Sequence, residues 1–373
     1  MTMTERECYR RICLFQKPEY IPNYENAPQE LLLAWRDEGM PADADYFEFF
    51  GLEHRKPRTY RGVDYGPIPG VPDRDKNLPE PPPGFVVGRD AWGRIGLWHD
   101  KRQADDGYAS NAHTIVRGAL QDRDEWERIR DHFQPDADAR YRGWPRTASW
   151  EEFVQRHRGH EYVLVLEGPS MVGDLRMELG FENYCMKLHD DPEMIEQIMD
   201  ARTELALAIL DRALEELDWD MLWFWEDMAF RNGPIMSPEM FETLAVPRYR
   251  RLSEWWRSRG GEIVAVDSDG DVRKLIPGWI RGGVNHIWPL EPFSGMDVVA
   301  LRAEYGQAFS MRGGVDKFCV GKGKQAIDRE LDRVFPVVQD GGYVPHLDHH
   351  LPKCTFEDYC YYMERKAKML ASV

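Results

Sequence analysis

Three strand-like runs in this chain end in side chains that can ligate metals or exchange protons. The first reads Met221-Leu222-Trp223-Phe224-Trp225-Glu226-Asp227. The second reads Glu262-Ile263-Val264-Ala265-Val266-Asp267-Ser268-Asp269-Gly270-Asp271, and the third runs from Gly341-Gly342-Tyr343 through His346 to Asp348-His349-His350. Asp267 and Asp269 are two apart, so on an extended chain they point the same way. Carboxylates on one side repel each other unless a cation, a shared proton or a donor lies between them. That pattern predicts metal ligation or acid-base work at one shared polar site. The competing reading is capping, with Ser268 and Asp271 closing the start of a helix near Val272.

The elements that must position these residues follow from the apolar pattern. Ile263 to Val266 has the β-branched content of a strand buried on both faces. In a parallel α/β sheet the C-terminal strand ends face the ligand crevice. Strand patterns occur at 162–166, 221–225, 263–266, 285–289, 309–312 and from Tyr343, with helical patterns at 192–217, 237–258, 272–281, 296–305, 324–338 and from about Phe356. This alternation predicts crossovers and a parallel sheet. With 373 residues, an α/β fold of the (β/α)8 TIM-barrel type with an irregular N-terminal extension is the best fit, and a doubly wound open sheet is the alternative. No GxGxxG follows a strand and no Walker motif is present, so nucleotide-phosphate loops are unsupported.

Before Tyr162 the pattern is less regular. A short helix leads in, Gln29 to Glu38 is amphipathic, and 122–133 and 149–157 read as capped helices. Residues 55–90, rich in Pro, Gly, Arg and Asp, read as a long irregular segment that could lie over a pocket. Phe85 to Trp98 reads as a β-hairpin turning near Asp90 to Gly93. Residues 1–150 are thus expected to pack on the main part of the barrel, 151–373, within one structural domain.

Composition narrows the function. The formal net charge of -17 argues against a nucleic-acid surface. No apolar run is long enough to span a membrane, and the polar N-terminus does not read as a signal peptide. Six scattered cysteines without a CxxC pair fit free thiols in a cytoplasmic protein.

Several collinear stretches between roughly 160 and 370 resemble the uroporphyrinogen decarboxylase superfamily. They are Glu226-Asp227-Met228-Ala229, Ser237-Pro238-Glu239-Met240-Phe241 with Pro247-Arg248-Tyr249, Asp267-Ser268-Asp269-Gly270, Trp288-Pro289-Leu290-Glu291, Gly313-Gly314-Val315-Asp316-Lys317 and Gly341-Gly342-Tyr343. The resemblance implies a (β/α)8 barrel with its active site at the C-terminal strand ends. It also implies one of two chemistries: cofactor-free decarboxylation of a tetrapyrrole-like substrate, or methyl transfer to or from a corrinoid protein. The decarboxylases' N-terminal Met-Arg-Gln-Ala-Gly-Arg segment has no counterpart in the region of Arg10-Arg11-Ile12-Cys13-Leu14-Phe15. The methyltransferases' His-X-Cys-Gly zinc motif is replaced by Asp267-Ser268-Asp269-Gly270, and their later Cys by His349.

Methyltransferase-like chemistry is therefore the leading expectation: metal-assisted demethylation of a small methylated substrate, such as a methoxy compound, with transfer to a corrinoid carried by a partner protein. The resemblance implies metal ligands at Asp267, Asp269 and His349, with zinc first and manganese or iron also suited to oxygen and nitrogen donors. Glu226, Asp227 and Glu291 are the candidate catalytic acids or bases, against strand-end capping and salt bridging. Trp225, Tyr343 and His346 are candidate substrate contacts, against roles in the core. For the decarboxylase alternative, Arg231, Arg273 and Arg312 would receive substrate carboxylates. A third class, a non-catalytic ligand-binding barrel, would bind without turnover. A homodimer is compatible with the helical surfaces.

Overall fold

The computed structural model describes residues 3–53, 58–60, 62–66, 80–89, 94–99, 113–141, 149–349 and 351–373. Its strands, in chain order, are β1 (Arg58–Tyr60), β2 (Phe85–Arg89), β3 (Ile95–His99), β4 (His113–Arg117), β5 (Leu164–Glu167), β6 (Met221–Trp225), β7 (Ala229–Phe230), β8 (Gly233–Pro234), β9 (Ile263–Asp267), β10 (His286–Trp288), β11 (Ser310–Val315) and β12 (Tyr343–Leu347). Seven of them form one sheet in the order β1-β5-β6-β9-β10-β11-β12, every pair parallel. The spatial order follows the chain order without a reversal, so there is no switch point of the doubly wound kind. Right-handed crossovers then place the connecting helices on one side. The result is an α/β fold compatible with the wall of a (β/α)8 barrel, with β1 and β12 as the edges of the hydrogen-bonded ladder.

The regular pattern was expected to begin at Tyr162. The sheet instead begins at β1, inside the stretch read as irregular, whose three residues pair with β5. Three residues are too few for a periodic signal. The hairpin β2–β3 is antiparallel as its sequence indicates, and β4 adds a third strand to it. Its turn, and much of 55–90, lie outside the described residues. One core cluster runs from Tyr9 to Leu370 and so includes both the N-terminal part and the sheet.

Proline resets two helices. The pattern over 237–258 divides into Pro238–Leu244 and Val246–Ser258, because Pro247 has no N–H to give the preceding turn. The helix expected from 272 begins only at Ile276, with Pro277 in its first turn, where a missing N–H is tolerated. No helix among the described residues is long and apolar enough to cross a membrane.

Two devices tie the N-terminal segment to the sheet. The helix Glu5–Cys13 lies against strand starts: Arg6 Nε bonds Asp220 Oδ1 at 2.7 Å, Arg10 reaches Glu262 at 3.1 Å, and the Tyr9 hydroxyl meets His286 Nε2 at 3.0 Å. Further on, buried Glu25 accepts from Lys366 Nζ and the Tyr362 hydroxyl, each at 2.6 Å, and from the Leu347 N–H at the end of β12. Lys366 is fully buried and also donates to the Tyr24 carbonyl at 2.9 Å. Removing one partner of such a pair strands a charge out of water. Lys366→Ala is expected to lower the unfolding free energy by roughly 3–5 kcal/mol in urea denaturation, with the Glu25→Gln/Lys366→Met pair recovering much of the loss. Equal losses in the single and double variants would contradict this.

Candidate active site with a three-carboxylate cluster

The register of the sheet stacks side chains in rows. Asp267 is the register partner of both Trp225 and Trp288, at the C-terminal ends of β9, β6 and β10. One layer below, Ala265 lies between Trp223 and His286. The small alanine leaves room for Trp223 to stack on Trp288, with ring centroids 6.0 Å apart and planes 6° apart. The upper row floors a cavity of about 220 Å³. Asp227, Asp267 and Asp269 line it together with Trp225, Trp288, Pro289 and Arg312. Glu25, Asn26 and the β12 end, His346 to His349, complete its wall.

Three carboxylates converge there. One oxygen from each of Asp227, Asp267 and Asp269 lies within 4.8 Å of the others. Asp227 sits at φ 41°, a left-handed conformation that Asp adopts more readily than most residues. Its Oδ1 accepts from the Asp269 N–H at 3.4 Å. The turn after β9 is held on several sides. Ser268 Oγ accepts from the Met228 N–H at 3.0 Å, the Gly270 N–H donates to Glu291 Oε2 at 3.0 Å, and the Asp271 N–H donates to the Phe230 carbonyl at 2.9 Å. Gly270 has φ +83°, and a Cβ there would lie 2.5 Å from the Ala229 carbonyl oxygen, so this close approach requires glycine. Ser268 thus ties β9 to β6 instead of capping a helix.

Burial, then the charges of Asp227 and Asp269, push the Asp267 carboxyl up to about 7, with Arg312 and a hydrogen bond to Trp288 opposing. Burial and Asp269 also raise Asp227. His349 Nε2 lies 3.3 Å from Asp269 Oδ2, and that hydrogen bond raises the imidazole pKa against desolvation.

The other sequence candidates separate. Glu226 does not line the cavity: it is fully buried and accepts from Ser170 Oγ and from the N–H groups of Met171, Val172 and Gly173 at 2.7–3.2 Å, and from the Tyr249 hydroxyl at 2.5 Å. It fixes the loop after β5. Burial raises its pKa, opposed by Tyr249 and those amides. Glu291 holds the Gly270 turn and pairs with Lys317 Nζ at 3.4 Å. Tyr343 is buried below the cavity, its hydroxyl donating to the Gly313 carbonyl at 2.6 Å. Trp225 and His346 do line the cavity. Of the three arginines considered, only Arg312 does so; Arg273 pairs with Asp271 at 2.6 Å and Arg231 lies over the Phe293 ring at 4.1 Å. His350 lies outside the described residues. Glu25 and Asn26 reach the cavity from a Pro-containing lead-in that carries no sequence signal for such a role.

No protein-family model matches the chain, and no curated protein matches it. Among solved structures, a methyltransferase from Methanosarcina mazei superposes with a TM-score of 0.62 over 98% of this chain and 99% of that one, at 13% sequence identity. The two share a fold along their whole length.

The donor set of three carboxylate oxygens with an imidazole nitrogen beside them suits a hard or borderline divalent cation. Asp267 holds its proton more tightly in the folded than in the unfolded state, near pH 7 against about 4. Its contribution to stability is therefore full below about pH 4 and is lost as pH rises through 7. In differential scanning fluorimetry the chelated protein is expected to lose thermal stability over that window, Asp267→Asn to flatten the loss, and zinc or manganese to raise Tm more at pH 8 than at pH 5. An unchanged pH slope in Asp267→Asn would contradict the assignment.

Proposed function

We propose that this protein is a methyltransferase that demethylates a small methylated substrate, such as a methoxy compound, with a divalent cation held by Asp227, Asp267 and Asp269. The observation that carries the reading is the three-carboxylate cluster at neighbouring strand ends. The full-length fold likeness to a methyltransferase supports it further. The ligand set proposed differs from the sequence expectation: Asp227 joins it, while His349 is the hydrogen-bond partner of Asp269. When bound, the cation would supply Lewis acidity toward an ether or alcohol oxygen of the substrate.

The chain's own residues account for the rest. Trp225, Trp288 and Pro289 give the substrate an apolar wall, and a cavity of about 220 Å³ suits a metabolite-sized molecule. A corrinoid ring is far larger than this cavity, so the methyl acceptor is proposed to approach on a partner protein. In the transfer, the methyl carbon passes to that nucleophile, and the oxygen keeps the bonding pair. His349, whose imidazole pKa is raised by its hydrogen bond to Asp269, would give that oxygen its proton.

A metal-free decarboxylase would use the carboxylates as a proton-sharing pair, for which the raised Asp267 is suited. It also needs several arginines on the substrate's carboxylates, and of the three considered only Arg312 reaches the cavity.

Incubation with ¹³C-methoxy compounds and a reduced corrinoid protein, read by NMR, is expected to show methyl transfer. Asp227→Asn and Asp267→Asn should lower its rate at least 100-fold and His349→Gln about 10- to 100-fold. Carbon dioxide release from carboxylated substrates without methyl transfer would replace this reading with the decarboxylase.

A further inference from the structure

Arg312 is a buried cation with no carboxylate at ion-pair distance among the described residues, although its charge reaches Asp267 across the cavity. Only 7% of it is exposed, and it lines the cavity. Its Nε donates to His346 Nε2 at 2.9 Å, and its guanidinium lies over the Trp288 ring at 4.8 Å. Its charge also acts on the nearby Tyr9 hydroxyl, opposing the effect of burial there. The Tyr9 hydroxyl lies 3.0 Å from His286 Nε2, and His286 Nδ1 lies 2.8 Å from Ser310 Oγ. Every one of these partners is neutral; His286 itself is pushed down to about 3 by burial and by Arg312. No carboxylate among the described residues forms an ion pair with Arg312. Two other buried arginines are treated differently: Arg202 pairs with Asp174 and Glu178, and Arg248 with Glu196 and Asp200, while Arg140 donates to the backbone carbonyls of Asp64, Gly66, His132 and Gln134.

The acids nearest the cavity rim have cations of their own. Glu25 is matched by Lys366 at 2.6 Å and Asp348 by Lys317 at 3.2 Å. A guanidinium has five N–H donors in a planar fork, and His346 takes only the Nε–H. The fork is held by His346 of β12 and by the Trp288 ring, so it is preorganised for a planar anion.

We infer that Arg312 anchors a carboxylate carried by the substrate, so that the substrate class is a small methylated carboxylic acid. The carboxylate would sit on Arg312 and the methylated atom would point to the Asp227–Asp267–Asp269 cluster. Only the identity of the methylated end rests on the methyl-transfer reading.

The test is calorimetric titration of the full chain with matched pairs: methoxyacetate against methoxyacetamide, and 4-methoxybenzoate against 4-methoxybenzamide. The wild type is expected to bind at least one acid tenfold or more tighter than its amide. Arg312→Gln should cut that preference to under threefold, and Arg312→Lys, which keeps the charge but loses the fork, should retain part of it. Amides that bind as well as acids, a preference that survives Arg312→Gln, or no binding of either acid would overturn the inference. If Arg312→Gln does not fold, the wild-type pairs and Arg312→Lys still decide. Acid preference without methyl transfer to a corrinoid would overturn the methyl-transfer reading and leave the anchor standing; methyl transfer from acid and amide alike would do the reverse.

Discussion

Three carboxylates brought within 4.8 Å of one another repel, and the surrounding structure is arranged to hold them there nonetheless. Asp227 follows β6, Asp267 ends β9, and Asp269 lies in the turn beyond it. Each is fixed through the backbone, by the 2.8 Å bond from the Glu226 N–H to the Asp267 carbonyl and by the bonds that Ser268 and Gly270 make to neighbouring loops. Arg176 at 4.0 Å from Asp227 and His349 at 3.3 Å from Asp269 offset part of that charge, and a proton or a cation among the oxygens would offset the rest. The raised pKa values of Asp227 and Asp267 express the same crowding of charge.

Beneath this row lies a second polar layer. Tyr9, His286 and Ser310 run along the strand starts, joining the N-terminal helix to β10 and β11. The buried Glu25–Lys366 pair does the corresponding work beside β12, drawing the N-terminal lead-in to the last helix and to the cavity wall. Residues far apart in the chain thereby set the position of one cationic and several anionic groups within a few ångströms of the proposed substrate site. The N-terminal segment is in this sense part of the site and not an appendage to it.

Much of the sheet was legible because its strands are apolar runs closed by acids, as at Met221–Trp225 and Ile263–Asp267. The two-residue spacing of Asp267 and Asp269 carried the cluster. Strand alternation also held a signal against grouping Glu226 with Asp227, since successive side chains leave a strand on opposite faces. Trp225 is in the cavity row, Glu226 turns back to the loop after β5, and the left-handed Asp227 returns to the cavity. Other features had no local signature. The strand β1 is three residues long, Glu25 sits alone among prolines and asparagines, and the setting of Arg312 exists only once Trp288 and His346 have been brought to it from other strands.

The central claim is that the three carboxylates form a cation site. Equilibrium dialysis of the chelated protein against zinc or manganese, with the bound ion counted by elemental analysis, tests it most directly. About one ion per chain in the wild type, lost when Asp227, Asp267 and Asp269 are together replaced by asparagine in a protein that still folds, is the predicted result. No stoichiometric ion in the wild type, or the same ion retained without the three carboxylates, would contradict it.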